Sequence, residues 1–464
     1  MRILVIGAGA VGGYFGGRLT KAGRDVTFLV RQGRADQLRR NGLHVISVED
    51  DFIVQPKLLL ASELKQSPQA FDLILLSTKA YQLDSAMEDF APAVGPDTAI
   101  LPLLNGMAHL DALIKRFGEH AVLGGSTRIV ADVDADGTIH SMETLHDLVF
   151  GERVSHTREK ATSITPRLQA IAAALSGAGF DDKLSPDVIA FMWQKWTFLA
   201  ALGAITCLLR GSIGEVTAAP YGTETELAIL NECNAVATAN GYPTQQQPFD
   251  YITNRLTSKG SPLTASMYRD LQRGGPVEAD HILGDLIRRG EAHNVPTPLL
   301  KAAYIQLNIY SSSLKKINAM PAKPQKHTDY SGTPLPKKLG IVSSSAKPTP
   351  TEIALLAAPA DFQQTLGELP SHITFSPHLT PRTTLALCFI RSLFDLDATL
   401  DILTTNLPKT ASAWIIRPKT HLKPGFNENH VRDAALARGL VDYKICSVDN
   451  DWSGIKFAWR KASS

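Results

Sequence analysis

Short apolar runs and a helical pattern alternate along the first 34 residues. Residues 2–6 form a branched apolar run, and residues 25–30 form a second one. Between them, apolar residues recur every three or four positions from Val11 to Leu19, which is the spacing of one helical face. Gly23 ends this pattern in the way that a helix C-cap does. The pattern therefore predicts a strand, a turn, a helix and a second strand.

The turn before this helix carries glycine at the spacing G-x-G-x-x-G. Gly7 permits a tight turn, Gly9 lets a pyrophosphate approach the backbone, and Gly12 lets the helix pack on the strand. The spacing alone is a weak signal, but between a strand and a helix it indicates dinucleotide binding. A strand–helix turn without a ligand is the alternative. A secretory signal peptide is disfavoured because further glycines continue inside the helical pattern.

The residue type at the end of the second strand favours one cofactor. An acid there would bind the ribose 2′-hydroxyl of NAD, whereas a cation accommodates the 2′-phosphate of NADP. Arg31 follows the strand, Arg34 is close behind, and no acid lies between them. The sequence therefore favours NADP(H), and two solvated arginines on a loop are the alternative.

Two continuous apolar runs, residues 71–77 and 99–104, predict central parallel strands covered on both faces. Lys79 follows the first run and Asn105 follows the second. Both residues would lie at the carboxyl ends of strands, where an open α/β sheet binds its ligand. Asn105-Gly106 is also a common turn dipeptide and Lys79 could be a surface charge, so both interpretations stay open.

An acidic segment further on fits the spacing of a calcium-binding EF-hand loop. Its matching positions are Asp132, Asp134, Asp136, Gly137 and Glu143, with Ile139 between them. An EF-hand needs a helix on either side, but residues 126–133 and 138–142 have the pattern of strands. We therefore predict a hairpin with an acidic tip rather than a calcium site.

From about residue 166 the pattern is helical throughout. Ser185 is the predicted N-cap and Pro186 the first residue of a helix that reaches about residue 210. Lys195 lies inside this helix, and its neighbours three and four positions away are all apolar, namely Phe191, Met192, Phe198 and Leu199. Burial favours the neutral form of a lysine, so this residue could act as an acid near neutral pH. A lysine that extends to the rim of the core is the alternative.

Two polar residues later in the helical region are ambiguous. Ser266 falls in a helical stretch, and Glu278 follows Gly274-Gly275-Pro276 at the start of another helix. An acid in a first helical turn usually interacts only with the helix dipole. If Glu278 also points into a cleft, it could position a substrate or the lysine.

Composition narrows the function classes. A chain of 464 residues has room for about three domains. Its 47 basic and 45 acidic residues give a net charge of +2, which offers no reason to expect a nucleic acid or a membrane surface as partner. The four cysteines lack a C-x-x-C motif, which argues against a disulfide framework and a structural zinc site. The longest apolar run, residues 196–209, is too short to span a bilayer. We expect a soluble, cytoplasmic protein.

Six motifs together resemble the ketopantoate reductase (2-dehydropantoate 2-reductase) family over residues 1–314. They are GAGAVGGYFGGRL, STKAYQ, LLNGM, MWQKW, ASMYRDL and PVEADHILG, in that order. The resemblance implies an α/β fold with a Rossmann-type NADP-binding domain over residues 1–165. It also implies an all-helical domain over residues 166–314, like that of 6-phosphogluconate dehydrogenase, and leaves a homo-oligomer open.

The resemblance also implies NADPH-dependent reduction of 2-dehydropantoate to pantoate, a step of pantothenate and coenzyme A biosynthesis. The implied cofactor-binding residues are Gly7, Ala8, Gly9, Ala10, Val11, Gly12, Arg31, Lys79 and Asn105. The implied substrate-binding residues are Asn105, Lys195, Ser266 and Glu278, with Lys195 as proton donor and Glu278 as the second catalytic residue. No metal is implied.

One departure from the family pattern concerns the substrate pocket. Family members usually carry asparagines one and two helical turns after the lysine, where this chain has Leu199 and Gly203. The reaction type stands without these amides, but the pocket loses part of its discrimination. A reductase of another small 2-oxo acid and a non-catalytic NADP-binding sensor are therefore the alternatives.

Residues 315–327 mix serine, lysine and proline with little periodicity, which predicts a flexible linker. Beyond the linker, the pattern predicts a small α/β domain over residues 328–464. Its predicted strands are residues 352–358, 384–390, 413–416 and 441–448, and its predicted helices are residues 361–369, 392–406 and 427–438.

The motifs YSGTPLPKKLGI, WIIRPK and GLVDYKICSVDNDWSGIKF in this last domain resemble a small bacterial domain family of unassigned function. Its sequence shows no nucleophile with a base, metal-ligand cluster or glycine-rich phosphate loop. Trp414, Lys419, Asp442 and Lys444 could line a site, but core packing and solvation explain them more simply.

Overall fold

Two compact units make up the chain, Met1–Leu271 with Pro276–Ser313 and Gln272–Gly275 with Leu314–Ser464. The computed structural model describes residues 1–134, 136–153, 164–319, 334–342, 351–359, 362–391, 393–419, 428–449 and 451–460. Both domains predicted within residues 1–314 fall in the first unit except for residues 272–275 and 314, so the predicted boundary between residues 165 and 166 stays a prediction.

A parallel five-stranded sheet with flanking helices begins the first unit. Its elements and those that follow directly are β1 (Arg2–Ile6), α1 (Ala10–Lys21), β2 (Asp25–Leu29), α2 (Gln32–Asn41), β3 (Leu43–Ile46), β4 (Asp51–Val54), β5 (Lys57–Leu59), α3 (Ala61–Gln66), β6 (Leu73–Leu76), α4 (Leu83–Phe90), β7 (Ala99–Pro102) and α5 (Ala108–Phe117). The strand order is β5-β2-β1-β6-β7, and every pair is parallel. The order reverses between β1 and β6, so ligands are expected at the carboxyl ends of these two strands.

Two smaller sheets pack beside this one. One of them includes β3 and β4, and the elements that follow α5 in the chain are β8 (Gly124–Arg128), β9 (Ala131–Val133), β10 (Ile139–Ser141), β11 (Asp147–Gly151), α6 (Pro166–Leu175) and β12 (Asp181–Leu184). The strand orders are β4-β3-β10-β9 and β12-β11-β8. The predicted acidic hairpin is confirmed, since β9 and β10 pair antiparallel and Gly137 in their turn has a φ of +92°.

The strand β12 corrects the prediction that the chain is helical throughout from residue 166. Residues 181–184 pair in parallel with β11, from Asp181 opposite Asp147 to Leu184 opposite Phe150. This segment is short and mostly charged, so its own sequence has no apolar alternation. Its strand conformation depends instead on the ladder that β11 offers.

Seven helices within the described residues complete the first unit's fold. They are α7 (Val188–Leu209), α8 (Ile213–Ala218), α9 (Gly222–Ala239), α10 (Gln246–Leu256), α11 (Ser266–Gln272), α12 (Asp285–Glu291) and α13 (Pro298–Ala319). By length and composition α7 could cross a membrane, but 67% of its most apolar window is buried within the protein. It is the apolar centre of the helical part, packed against α8 and α9.

Two predicted boundaries in this helical region are wrong. The N-cap of α7 is Asp187, whose carboxylate accepts from Ala190 N at 3.3 Å, whereas the Ser185 hydroxyl accepts from Asp187 N. Helix α13 continues to Ala319, through the first five residues of the predicted linker. Lysine and alanine in this stretch are good helix formers, which explains the continuation. Residues 320–327 lie outside the described residues.

The second unit contains a six-stranded sheet with helices on both faces. Its elements are α14 (Leu335–Leu339), β13 (Thr351–Leu356), α15 (Phe362–Thr365), β14 (Ile373–Ser376), β15 (Thr383–Phe389), α16 (Leu393–Asn406), β16 (Ser412–Pro418), α17 (Glu428–Ala437), β17 (Leu440–Ser447) and β18 (Trp452–Trp459). The order is β14-β13-β15-β16-β18-β17, parallel except for β18, which is antiparallel to both of its neighbours. The predicted small α/β domain is confirmed, with β14 and β18 as strands that the sequence did not predict.

The four residues considered as a site in this domain make separate structural contacts. Trp414 is fully buried and its indole N–H donates to Leu339 O at 2.8 Å. Asp442 accepts from the Arg432 guanidinium at 2.9 Å, and Lys444 Nζ donates to the carbonyl of residue 338 at 2.7 Å. The backbone N–H of Lys419 donates to residue 451. These contacts agree with packing and solvation.

Candidate active site

The turn after β1 is shaped for the close approach of a ligand. Gly7 has a φ of +89°, and its N–H donates to Leu29 O at 3.0 Å. A Cβ on Gly12 would lie 2.0 Å from Ser77 Oγ and 2.4 Å from the Gly7 carbonyl oxygen, so α1 packs this closely only with glycine there. At Gly9 a Cβ would meet nothing within 4 Å, so the backbone faces open space. Helix α1 begins at this point, and helix N-termini attract anions.

A cleft of about 640 Å³ lies along this edge of the sheet. The residues Gly7, Ala8, Gly9, Arg31 and Thr78 are among its lining. Thr78 Oγ1 is buried without a hydrogen-bond partner among the described residues, and a polar group of a ligand in the cleft would supply one. The volume of the cleft, the glycine turn at its edge and the unpaired Thr78 hydroxyl together fit a nucleotide cofactor.

The two arginines behind β2 have different surroundings. Arg31 is exposed at the N-terminus of α2, which has no acid in its first turn. Arg34 is half-buried; its Nε donates to Ala8 O at 3.1 Å and its Nη2 donates to Gly137 O at 3.1 Å. Both arginines line the cleft, but Arg34 also ties α2 to the glycine turn and to the β9–β10 hairpin, whereas Arg31 is exposed.

An ion cluster forms where the loop after β6 meets the helical region. Lys79 Nζ lies 2.9 Å from Asp270 Oδ2 and 3.4 Å from Glu278 Oε2. The other oxygen of Glu278 accepts from Ala80 N at 2.8 Å. Burial lowers the pKa of Lys79, but the carboxylates of Glu278 and Asp270 outweigh it, and the net shift is upward. Lys79 is therefore an ammonium throughout the neutral range, held by one predicted site residue and by Asp270, which the sequence did not indicate.

Lys195 projects from α7 toward the end of β8, where its ammonium donates to Thr127 O. Burial lowers the pKa of Lys195 to about 8. The carboxylate of Asp147 has a smaller, upward effect on this pKa, and the Arg128 guanidinium lowers it further. Asp147 is fully buried and its carboxylate forms a two-pronged pair with the Arg128 guanidinium. The lysine thus loses much of its hydration while its nearest carboxylate is engaged by another cation.

Helix α7 is fastened to the segment that carries Glu278. The Trp196 indole N–H donates to Ile282 O at 2.9 Å. Asn105, half-buried after β7, lies against the same segment, because a Cβ on Gly106 would come within 3.0 Å of the His281 carbonyl oxygen. The structure therefore brings Lys79, Asn105 and the helix of Lys195 to one short stretch of chain.

The other predicted substrate residues lie on α11 and on the lysine's helical face. Ser266 is exposed at the first position of α11. A Cβ on Gly203 would lie 2.8 Å from the terminal methyl of Met267, the residue that follows Ser266. Leu199 lies one turn from Lys195 and is half-buried. The positions expected to hold amides are therefore occupied by apolar groups.

Relatives are known for the first unit. Family models described as Ketopantoate reductase PanE/ApbA and Ketopantoate reductase PanE/ApbA C terminal match residues 3–155 and 187–311. The chain is 35% identical over 312 residues to the uncharacterized oxidoreductase YkpB of Bacillus subtilis (strain 168), an alignment that covers 67% of this chain and 99% of that protein.

Solved structures share the fold of this unit. The crystal structure of 2-dehydropantoate 2-reductase from Geobacter metallireducens GS-15 is 26% identical, with a TM-score of 0.59 over 67% of this chain and 99% of that one. A D-mandelate dehydrogenase bound to NADH and anilino(oxo)acetate is 23% identical, with a TM-score of 0.59 over 68% and 99% of the two chains, and shows the fold alone. With a Rossmann-type domain, a helical domain and the family's sequence matches over residues 3–311, the chain belongs to the ketopantoate reductase PanE/ApbA family of oxidoreductases.

Proposed function

We propose that the protein is an NADPH-dependent reductase that converts a small 2-oxo acid to the 2-hydroxy acid, with 2-dehydropantoate as the first candidate. The observation that carries this proposal is Lys195, an ammonium with a pKa of about 8 on an otherwise apolar helical face. A carbonyl reduction needs a proton donor at the oxygen, and a donor is most effective when its pKa lies near the working pH.

The preference for NADPH rests on Arg31. Its exposed guanidinium lies at the cleft and at a helix N-terminus, an arrangement that suits a phosphate dianion. No acid occupies the end of β2, where a carboxylate would bind the 2′-hydroxyl of NADH and repel a 2′-phosphate. The pyrophosphate would be held by the backbone of residues 7–12, with Ala8, Ala10 and Val11 between the three glycines.

Bound NADPH would supply the hydride. The Lys195 ammonium is proposed to hydrogen-bond the substrate carbonyl oxygen, stabilise the charge that develops on it and deliver the proton. Thr127 O orients this ammonium, since it accepts from Nζ. Glu278 is proposed to position the loop after β6, because its two carboxylate oxygens are engaged by Ala80 N and Lys79. Lys79 and Asn105 are proposed to contact the ribose and nicotinamide side of the cofactor, and Asn105 also the substrate.

A second candidate substrate class is a 2-oxo acid with an apolar side chain. Leu199 and Gly203 lie one and two helical turns beyond Lys195, and the Met267 methyl packs against Gly203. A site with hydrogen-bonding amides rejects a substrate that lacks the matching hydroxyl, and an apolar wall has no such preference. These contacts favour a substrate without the hydroxyl group of 2-dehydropantoate.

NADPH oxidation at 340 nm with a panel of 2-oxo acids tests the proposal. The panel includes 2-dehydropantoate, its analogue without the hydroxyl, and branched and aromatic 2-oxo acids, each with NADPH and with NADH. Turnover with one member and a preference for NADPH would support the proposal. NADPH binding without turnover on any member would instead favour the non-catalytic sensor.

We also propose a cytoplasmic location. All four cysteines are free thiols, and three of them are buried. Free buried thiols are typical of proteins in a reducing compartment.

A further inference from the structure

Two histidines meet between the sheet and the helical region of the first unit. His109 lies on α5 and is fully buried, and His281 lies in a π-helical turn, Asp280–Gly284. His109 Nδ1 is 3.3 Å from His281 Nε2, and the ring centroids are 5.4 Å apart. A nitrogen-to-nitrogen hydrogen bond needs one donor and one acceptor, so the pair is complete only while at least one ring is neutral.

His281 also contacts the turn that presents Asn105. The Asn105–Gly106 turn packs against it so closely that a Cβ on Gly106 would be 3.2 Å from the ring Cδ2. The backbone of Asn105 raises the pKa of His281, which means that it favours the protonated ring. A backbone group with this effect is the carbonyl oxygen, since a carbonyl attracts the ring N–H. The chain of contacts therefore runs from His109 through His281 to Asn105.

Charged groups face the two rings unequally. Burial lowers the pKa of His109 well below its usual value, and His281, Lys195 and Arg289 lower it further. Burial also lowers the pKa of His281, against the opposing effects of Glu278, Asp285 and Asp280 and of the Asn105 bond.

His109 has a second reason to stay neutral. Its Nε2 is buried with no hydrogen-bond partner in the part of the chain that the structure describes. Protonation would place a second N–H there without an acceptor, and an unsatisfied buried donor is costly. Both rings are therefore neutral near pH 7.

We propose that the His109–His281 pair is a positioning device that fixes the Asn105 turn relative to Glu278, and that the pair comes apart and releases this turn only when both rings are protonated. This inference rests on the proposed function, in which Asn105 contacts cofactor and substrate. Glu278 lies three residues before His281, and its carboxylate accepts a hydrogen bond from Ala80 N. The short segment from Glu278 to His281 therefore contacts the loops after both β6 and β7. Loss of the pair should therefore displace Asn105 while the glycine turn keeps its hold on the cofactor.

Two substitutions separate the hydrogen bond from the titration. His109→Asn keeps an amide near the position of Nδ1 but cannot titrate, whereas His109→Leu removes the hydrogen bond. Thr206→Val is the matched control, since Thr206 is also fully buried and its hydroxyl bonds only within α7, to Leu202 O. It lies eleven residues from Lys195, about 16 Å along the helix.

The deciding measurement is a pH titration of the full chain between pH 5 and 8, observed by NMR. The asparagines and histidines are labelled with ¹⁵N. Asn105→Asp identifies the Asn105 resonance by its disappearance. In the wild type we expect the Asn105 amide to shift with the midpoint at which the second of the two rings gains its proton, as read from the His109 and His281 ring nitrogens. In His109→Asn that midpoint should change, and in Thr206→Val it should not. An Asn105 resonance that ignores the histidine titration would overturn the inference.

Kinetics supply the second measurement. At pH 7.5, His109→Leu should lower kcat by about tenfold, the cost of a small misplacement, with the KM for NADPH within about twofold of wild type. His109→Asn should have most of the wild-type kcat. Its kcat should also begin to fall at a lower pH than the kcat of the wild type does. Full kcat in His109→Leu would contradict the positioning role. If the wild type turns over no 2-oxo acid, the proposed function fails, and the NMR result still decides the inference.

Discussion

Replacing Lys195 with methionine should abolish activity and stabilise the protein. The folded lysine has a pKa of about 8 instead of 10.5, and each pKa unit is worth about 1.4 kcal/mol, so burial of the ammonium costs about 3 kcal/mol at pH 7. A methionine of similar length removes the buried charge, but it leaves Thr127 O without its donor, which costs about 1.5 kcal/mol. The net gain should therefore be about 1–2 kcal/mol.

The sign of the pH dependence follows from proton binding. Between about pH 8 and 10.5 the unfolded lysine binds a proton that the folded lysine has lost, so the wild type gains stability as pH rises through this range. The advantage of Lys195→Met should therefore be full at pH 7 and shrink above pH 8. The catalytic counterpart is an alkaline limb, in which kcat/KM falls tenfold per pH unit above about pH 8 as the proton donor is lost.

The free energy of unfolding is measured by urea denaturation, with tryptophan fluorescence as the signal. Trp193 and Trp196 flank Lys195 on α7 and report on the first unit. NADPH oxidation measures turnover, which should fall by about 10²- to 10⁴-fold while NADPH affinity stays nearly unchanged. Lys115→Met, at an exposed lysine on α5, is the control and should change stability by less than about 0.5 kcal/mol. If Lys195→Met is less stable than the wild type at pH 7, or turns over normally, the lysine does not carry the buried charge assigned to it.

Three further substitutions test the cleft and the pocket. Arg31→Gln should weaken NADPH binding by about tenfold or more and leave NADH nearly unaffected, since a charge-assisted bond to the 2′-phosphate is lost; fluorescence titration with both cofactors measures this, and an equal loss for both would exclude the assignment. Gly12→Ala should destabilise the fold by about 1–3 kcal/mol and impair cofactor binding, because its methyl would lie 2.4 Å from a backbone oxygen that cannot easily move; an unchanged melting temperature would argue against this close packing. Leu199→Asn should raise kcat/KM for 2-dehydropantoate relative to its analogue without the hydroxyl, and a constant ratio of the two would show that residue 199 does not face the substrate.

The elements that the sequence predicted correctly have local causes. The strands β1, β6 and β7 are nearly continuous apolar runs because parallel strands are covered on both faces. The glycine turn is visible because a positive φ demands glycine at position 7 and close packing of α1 demands it at position 12. Several strands were missed, and three of them, β12, β14 and β18, depend on their pairing partners more than on their own composition.

The site was predictable as a set of residues but not as a set of contacts. Lys79 and Glu278 were singled out separately, yet 199 positions separate them along the chain, and only the fold reveals their ion pair. Asp270 completes the cluster and lies four residues after Ser266, so it was the residue to examine on that helical face. His109 and His281 gave no local signal, since a histidine is recognised as part of a network only by its neighbours.

One short turn explains how distant parts of the chain reach a common geometry. Residues 278–282 contact three elements that carry proposed site residues: Glu278 binds the loop after β6, His281 binds the turn after β7, and Ile282 O accepts from Trp196 beside Lys195. The stretch includes a π-helical turn, a rare conformation that is frequent at functional sites. A shift of this turn would move the sheet edge and α7 relative to each other, so in the proposed function this turn would set the distance between the bound cofactor and Lys195. The ion pair, the histidine pair and the indole bond therefore all act on the position of residues 278–282. Substitutions that remove two of these contacts should have combined effects that differ from the sum of the single effects.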